Sequence, residues 1–222
     1  GSYREALEGA AALARAHPDL ALVHAWPGDL NARLGRHVEA IAAYGEALKA
    51  RPDYPEVLRN LGTVLQRCGR HADAAGMYER ALEHSPGAPD LHESRGQALR
   101  AIGRIEEAAE SYRKAIALSP GRASAHNNLG VTLHGASRHG EALEAFEAAL
   151  AVDPRHQEAL VNRANALKAL GRIDEAVTAY RVAVANDPDH APAHNNFGNL
   201  MRKLDRHEEA LPTKAAVQQQ LQ

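Results

Sequence analysis

The chain has 222 residues, of which 26 are Lys or Arg and 28 are Asp or Glu, and aromatic residues make up 4%. This balance excludes a strongly basic nucleic-acid-binding face, and a single cysteine excludes an internal disulfide. No uncharged apolar stretch approaches the roughly 18 residues that a membrane-spanning helix needs. We therefore expect a soluble, cytoplasmic protein with neither a nucleic-acid nor a membrane partner.

A period of 34 residues organises the sequence from end to end. Residues 3–20 carry Ala6 and Pro18 at the positions that later segments repeat, so they predict the second half of a repeat. The full and partial repeats that follow are 21–54, 55–88, 89–122, 123–156, 157–190 and the incomplete 191–222. We expect these segments to form a single array.

Each full repeat predicts two helices. In the repeat that begins at Pro55, the apolar residues Leu58, Leu61 and Leu65 are three and four residues apart, which is helical spacing. A second helix is expected after Gly69, and the proline near the end of each repeat stops it. We call these two helices leading and trailing, and number positions from the first residue of each repeat.

Small and aromatic residues recur at fixed positions and predict close helix packing. Position 20 is always alanine, and position 8 is glycine in all but one repeat. The aromatic residues at position 24 are Tyr44, Tyr78, Tyr112, Phe146 and Tyr180. Small residues let two helices approach, and a ring fills the space beside them. Because a lone pair buries only one face, the pairs are expected to stack into an all-α solenoid.

Two repeats depart from this pattern. Pro27 and Asn31 stand inside the first leading helix, which is therefore expected to be shortened or kinked. In the last repeat, Pro212 lies early in the trailing helix and Lys214 replaces the aromatic residue. We expect residues 191–222 to form a degenerate, polar cap.

These repeats resemble the tetratricopeptide repeat family, whose units share the 34-residue length and the small, aromatic and proline positions. The resemblance implies a right-handed superhelix of antiparallel helix pairs, with the leading helices along a concave groove. The array is also similar to the repeat region of O-linked N-acetylglucosamine transferases and related bacterial proteins. In those proteins an asparagine ladder contacts the backbone of the substrate.

Asparagine recurs on the leading helices although it is a poor helix former. Position 6 holds Asn60, Ser94, Asn128, Asn162 and Asn196, so the serine interrupts the series. A carboxamide offers donors and an acceptor that complement a peptide backbone. The candidate peptide-binding asparagines at positions 5, 6 and 9 are Asn60, Asn127, Asn128, Asn162, Asn165, Asn195, Asn196 and Asn199. The same residues could instead satisfy polar groups within the fold, and the sequence leaves both readings open.

Cations follow the asparagines near the end of the leading helices. Arg100, Lys168 and Arg202 occupy position 12, and no acid stands at positions 12 or 13. They complete the predicted peptide-binding set and favour an acidic segment. Acids, among them Glu56 and Glu158, stand at the opposite rim.

Other charged and reactive residues receive structural interpretations. An arginine at position 16 precedes an acid at position 19 in every repeat, an arrangement that complements helix dipoles. Cys68 takes a position otherwise held mostly by leucine or isoleucine and is predicted to be buried. Equivalent histidines such as His126 and His194 are expected to lie too far apart for one metal ion.

No catalytic motif, metal site or cofactor site is predicted. The sequence therefore favours a non-catalytic scaffold that binds a protein segment in its groove. Two alternatives stay open: the substrate-recruiting arm of a larger enzyme such as a glycosyltransferase, and a module that self-associates through its terminal repeats.

Overall fold

The computed structural model describes residues 20–204 without a break, together with residues 5, 8–10, 12, 13, 16 and 17. Within these residues every regular element is an α-helix, which confirms the predicted all-α class. The leading helices are α1 (Ala21–Arg33), α3 (Pro55–Arg67), α5 (Pro89–Ala101), α7 (Ala123–Gly135), α9 (Gln157–Ala169) and α11 (Ala191–Lys203). The trailing helices are α2 (His37–Ala50), α4 (His71–His84), α6 (Ile105–Leu118), α8 (His139–Val152) and α10 (Ile173–Asn186).

Several sequence expectations fall on other parts of the chain. Ala6 and Pro18 of the half repeat, and Pro212 and Lys214 of the predicted cap, lie outside the described residues. The extent of the array at both ends therefore stays a prediction.

The chain divides into two compact units, residues 1–119 and residues 120–222. The first contains α1 to α6 and the second contains α7 to α11. In each unit a trailing helix packs against its own leading helix and against the next leading helix. Within each unit, successive leading helices also contact one another, which brings their polar residues side by side.

The core of each repeat pairs a buried ring with a glycine or alanine. Tyr78 is 1% exposed, and a Cβ atom added to Gly62 would lie 2.8 Å from its ring. The alanines at position 20 that have no exposed surface are Ala40, Ala74, Ala108, Ala142 and Ala176. Because a side chain at position 8 would occupy the space of the ring, the small residues allow the aromatic residue to lie between the helices.

The turn between the two helices of a repeat requires a left-handed residue. Gly35, Gly69, Gly103 and Gly171 adopt φ between 72° and 77° there. Ser137 stands at the same place in the fourth repeat with φ 62°. A residue with a Cβ atom is strained in this region.

Pro27 does not shorten the first helix, so the expected shortening is wrong, and the expected kink stays a prediction. Helix α1 has 13 residues, as many as α3, and the proline lies within it. A Cβ atom added to Gly28 would lie 2.5 Å from the ring of Tyr44, as close as the 2.5 Å between a Cβ atom added to Gly130 and the ring of Phe146. Packing against the trailing helix therefore offsets the hydrogen bond that a proline cannot donate.

Cys68 is exposed, and its predicted burial is also wrong. It caps the C-terminal end of α3. The residues at the same position, Leu34, Ile102 and Leu170, are between 37% and 40% exposed. Apolar residues at this position therefore cover the edge of the repeat and do not enter the core.

Candidate functional site

A series of asparagines crosses the three leading helices of the second unit. Asn162 on α9 donates from Nδ2 to Oδ1 of Asn127 on α7, at 3.0 Å. Asn196 on α11 donates in the same way to Asn165 on α9, at 3.4 Å. We define the asparagine strip as Asn127, Asn162, Asn165, Asn196 and Asn199. Four of its members thus connect neighbouring repeats through their side chains.

The buried Tyr180 forms a hydrogen bond to a residue of the asparagine strip. The hydroxyl group of Tyr180 donates to Oδ1 of Asn165 at 2.5 Å, so this oxygen accepts from both Tyr180 and Asn196. Burial raises the pKa of Tyr180 to about 12. The buried ring and the surface carboxamide are therefore parts of one hydrogen-bond arrangement.

In the fourth repeat, the acceptor of the bond between neighbouring repeats is Asn127 at position 5 and not a residue at position 9. In the same repeat the aromatic residue is Phe146, which has no hydroxyl group, and position 9 is Val131, which has no polar side chain. Asn162 therefore cannot bond to position 9 and bonds to Asn127 instead. Asn127 is only 8% exposed, so most of its surface is committed to the fold.

The remaining candidate asparagines differ in exposure. Asn195 and Asn199 are exposed, whereas Asn128 is half-buried. Oδ1 of Asn199 accepts a hydrogen bond from Nη2 of Arg202 at 2.8 Å. The exposed Lys168 lies one turn beyond Asn165 on α9. The structure thus places asparagines and cations along the same leading helices of the second unit.

The first unit holds a shorter version of the same geometry. Oδ1 of Asp29 accepts from the hydroxyl of Tyr44 at 2.6 Å and from Nδ2 of Asn60 at 2.9 Å. Burial, followed by the bond to Asp29, raises the pKa of Tyr44 well above its usual value. Arg100 is exposed on α5, away from this cluster.

Asp29 is a residue that the sequence analysis did not select. The sequence pattern that could have indicated it is position 9, which is polar in every repeat except the one with Val131. The polar residues are Asp29, Thr63, Gln97, Asn165 and Asn199. Only the structure shows that it connects Tyr44 and Asn60.

The arginines at position 16 pair with acids on their own trailing helix. The Nη2 atoms of Arg70, Arg138 and Arg172 lie 2.6 to 2.7 Å from carboxylate oxygens of Asp73, Glu141 and Glu175. These contacts are exposed ion pairs between residues three apart, which contribute little to stability. They support the structural interpretation of this series.

The histidines at position 4 bond to the proline turn of the preceding repeat. Nε2 lies 2.9, 3.1 and 2.8 Å from a proline carbonyl oxygen in the pairs His92 and Pro86, His126 and Pro120, and His194 and Pro188. Each histidine is therefore used to hold a turn. In the described part of the chain no three histidine, cysteine or acidic residues come together in a group that could hold a metal ion.

None of the described helices combines the length and the apolar character needed to cross a membrane.

Comparison with known families identifies the repeats. Profiles described as tetratricopeptide repeat match residues 19–87, 59–123, 96–154, 127–191 and 161–217. The chain therefore belongs to the tetratricopeptide repeat family. No curated protein sequence matches it.

Solved structures share the fold. A crystal structure of MamA protein is 26% identical, with a TM-score of 0.73, and the match covers 77% of this chain and 93% of that one. A structure of YrrB, described as a TPR protein with an unusual peptide-binding site, is 22% identical, with a TM-score of 0.74 and coverages of 86% and 98%. MamA from Desulfovibrio magneticus RS-1 is 22% identical, with a TM-score of 0.65 and coverages of 76% and 93%. These matches support the helical solenoid class.

Proposed function

We propose that the protein is a non-catalytic scaffold that binds an extended segment of a partner protein along the asparagine strip of its second unit. The observation that carries the proposal is the continuity of the strip: Asn127, Asn162, Asn165 and Asn196 connect three leading helices through side-chain bonds. Asn195 and Asn199 extend the polar surface outward at its end.

The hydrogen bonds within the strip define what it offers to a ligand. Asn162 and Asn196 use an amide N–H within the fold, which leaves the carboxamide oxygen as an acceptor for a peptide N–H. Leading helices in neighbouring repeats are separated by about 10 Å. An extended peptide advances about 3.3 Å per residue, so one asparagine meets roughly every third residue.

Cations beside the strip favour an acidic segment. Lys168 and Arg202 are exposed on α9 and α11, close in sequence to Asn165 and Asn199. Arg202 already bonds to Asn199, so a ligand carboxylate would join an existing polar pair. In this proposal Lys168 and Arg202 select an acidic ligand, while the carboxamides of the strip bind the backbone of the peptide.

The relatives are consistent with this proposal. YrrB is described as having an unusual peptide-binding site, and its structure covers most of this chain. We extend peptide binding to this protein on the basis of the strip, because the likeness to YrrB concerns the fold.

The experiment uses fluorescence anisotropy with labelled twelve-residue peptides of acidic, neutral polar and basic composition. Wild-type protein should bind the acidic peptides best. The Lys168→Glu variant should weaken binding by at least about tenfold, since a hydrogen bond to a charged group contributes about 1.5–3 kcal/mol. A double variant with Asn195→Ala and Asn199→Ala should weaken it by about tenfold, since each neutral hydrogen bond contributes about 0.5–1.5 kcal/mol.

A variant of the exposed Glu144 on trailing helix α8, Glu144→Ala, serves as the matched control and should bind like wild type. All these side chains are exposed, so the thermal unfolding midpoint should change little. The proposal is wrong if no peptide of the panel binds, or if Lys168→Glu and the double asparagine variant bind as tightly as Glu144→Ala.

A further inference from the structure

We propose that a pocket in the first unit, between α1 and α3, binds a lysine or arginine side chain of a partner protein together with an apolar neighbour. The pocket has a volume of about 370 Å³, and its apolar wall includes Leu22, Val23, Trp26 and Val57. This inference rests on the proposed function in one respect, since it treats the leading helices as a binding face. It adds an oppositely charged recognition site on the leading helices of the first unit.

The apolar wall is open to a ligand. Trp26 is 48% exposed and Leu22 is 67% exposed, although both are large apolar side chains. Trp26 occupies position 6, where four of the five later repeats carry an asparagine and the other carries Ser94. The first repeat therefore presents a ring on the face where its successors present polar groups. Exposed aromatic surface at such a place is typical of a contact site.

Asp29 carries a charge that its structural role does not need. Its Oδ1 atom accepts from Tyr44 and Asn60, and Oδ1 of Asn165 accepts from Tyr180 and Asn196 in the same arrangement. A neutral carboxamide thus makes both structural bonds elsewhere in this chain. Placing a carboxylate in a half-buried site costs desolvation energy, so its presence calls for a reason outside the fold.

Within the described part of the chain, the contacts of Asp29 do not neutralise its charge. Both hydrogen-bond partners of Asp29 are neutral, and among the described residues it forms no ion pair. Glu56 is the second acid at the pocket, and none of the described residues that line it is a lysine or an arginine. Arg33 and Arg67 do not line this pocket but an adjoining depression, which shares Asp29 and Asn60 with it. Charge complementarity therefore selects a cationic occupant for the pocket.

The aromatic residues suit the same occupant. Tyr54 also lines the pocket, and Cζ of Arg51 lies 4.9 Å from the centroid of its ring. This guanidinium group lies against a ring that lines the pocket, although Arg51 itself is not one of the lining residues. Tryptophan is the strongest ring for a cation, and its face also accepts an aliphatic side chain. A basic residue next to leucine would use both properties of the pocket.

Trp26 is the only tryptophan of the chain, so its fluorescence reports on the pocket alone. The full chain is titrated with the tetrapeptide acetyl-Leu-Arg-Leu-Arg-amide and, separately, with acetyl-Leu-Glu-Leu-Glu-amide. The arginine peptide should cause a saturable change in emission, and the glutamate peptide should cause none. Added salt should weaken the response, since the attraction is between charges near the surface.

The decisive variant is Asp29→Asn, because Asn165 shows that an asparagine makes the same structural bonds. Its unfolding midpoint should match wild type, while its affinity for the arginine peptide should fall about tenfold. Glu56→Gln should lower the affinity less. Glu158→Gln, at the equivalent position of α9, is the matched control and should have no effect.

Three results would overturn the inference: no saturable response of the wild type, equal affinity of Asp29→Asn, or an emission change with protein concentration alone. The last would show that a second copy of the chain occupies the pocket. The test is separable from that of the proposed function, because Lys168→Glu lies in the other unit and should not alter the Trp26 response. The pocket inference and the strip proposal can therefore fail independently.

Discussion

Asn162 donates its side-chain amide to Asn127 across 3.0 Å, whereas the equivalent Asn196 donates to Asn165 across 3.4 Å. The two bonds start from the same position of a repeat and end at different positions of the preceding one. The difference follows from Val131, which offers no acceptor where Asn165 does. Position 5 therefore takes over the role of position 9 in the repeat whose aromatic residue is phenylalanine.

The first prediction concerns this substitute bond. Asn127→Ala should lower the free energy of unfolding by about 1–3 kcal/mol, because it leaves the half-buried amide of Asn162 without its partner. Chemical denaturation of the single variants and of the Asn127→Ala, Asn162→Ala double variant measures the coupling, expected at about 0.5–1.5 kcal/mol. The exposed Asn195→Ala should change stability by less than about 0.5 kcal/mol. Additive effects of the two substitutions would contradict the bond.

The second prediction concerns the buried rings. Phe146 is 1% exposed, and a Cβ atom on Gly130 would lie 2.5 Å from its ring. Phe146→Ala should lower the free energy of unfolding by about 3–5 kcal/mol, since it removes the ring and leaves a cavity. Arg104→Ala removes an exposed ion pair with Glu107 and should cost under about 0.5 kcal/mol. Equal losses in urea denaturation would show that the two positions have been assigned the wrong roles.

The third prediction concerns the turn at Ser137. Its φ of 62° is in the left-handed region that glycine occupies in four other repeats. Ser137→Gly should therefore raise the free energy of unfolding by up to about 1 kcal/mol, and Gly171→Ser should lower it by about 1–2 kcal/mol. Thermal unfolding of the two variants provides the measurement. A loss of stability in Ser137→Gly would mean that the serine side chain contributes more than its backbone costs.

The fourth prediction is a loss of stability at alkaline pH. Burial raises the pKa of Tyr112 from 10.0 to about 12. Above pH 10 the unfolded chain releases the phenolic proton while the folded chain retains it, so the unfolded state gains stability as pH rises. The contribution of Tyr112 should be complete below pH 10 and lost progressively up to about pH 12.

The variant Tyr112→Phe tests this prediction, because the equivalent position of the next repeat is already a phenylalanine. Tyr112→Phe should reduce the slope of unfolding free energy against pH between pH 10 and 12, and should leave stability near pH 7 almost unchanged. The hydroxyl group of Tyr112 lies near Arg100 but makes no hydrogen bond of good geometry among the described residues, whereas that of Tyr180 bonds to Asn165. Tyr180→Phe should therefore cost about 0.5–1.5 kcal/mol at neutral pH. An unchanged alkaline slope in Tyr112→Phe would contradict the prediction.

The sequence by itself determined the helical class and the packing of each repeat. A 34-residue period with alanine at position 20 and a ring at position 24 leaves few ways to bury the apolar face. Every described trailing helix begins at the residue after the position-16 arginine, for example at His71 after Arg70. These features depend on the spacing of residues along the chain and on the volume of their side chains, and the amino-acid sequence gives both.

The tertiary structure alone decided the roles of individual polar and edge residues. Cys68 shares its position with leucines and is exposed, because the end of α3 lies at the edge of its repeat. Asn165 and Asp29 occupy equivalent positions and accept equivalent bonds, yet only Asp29 is a carboxylate beside an open apolar pocket. A hydrogen bond depends on the position of two groups from different repeats to within a few tenths of an ångström. Periodicity specifies which helices meet, but that finer distance is fixed only when the side chains pack.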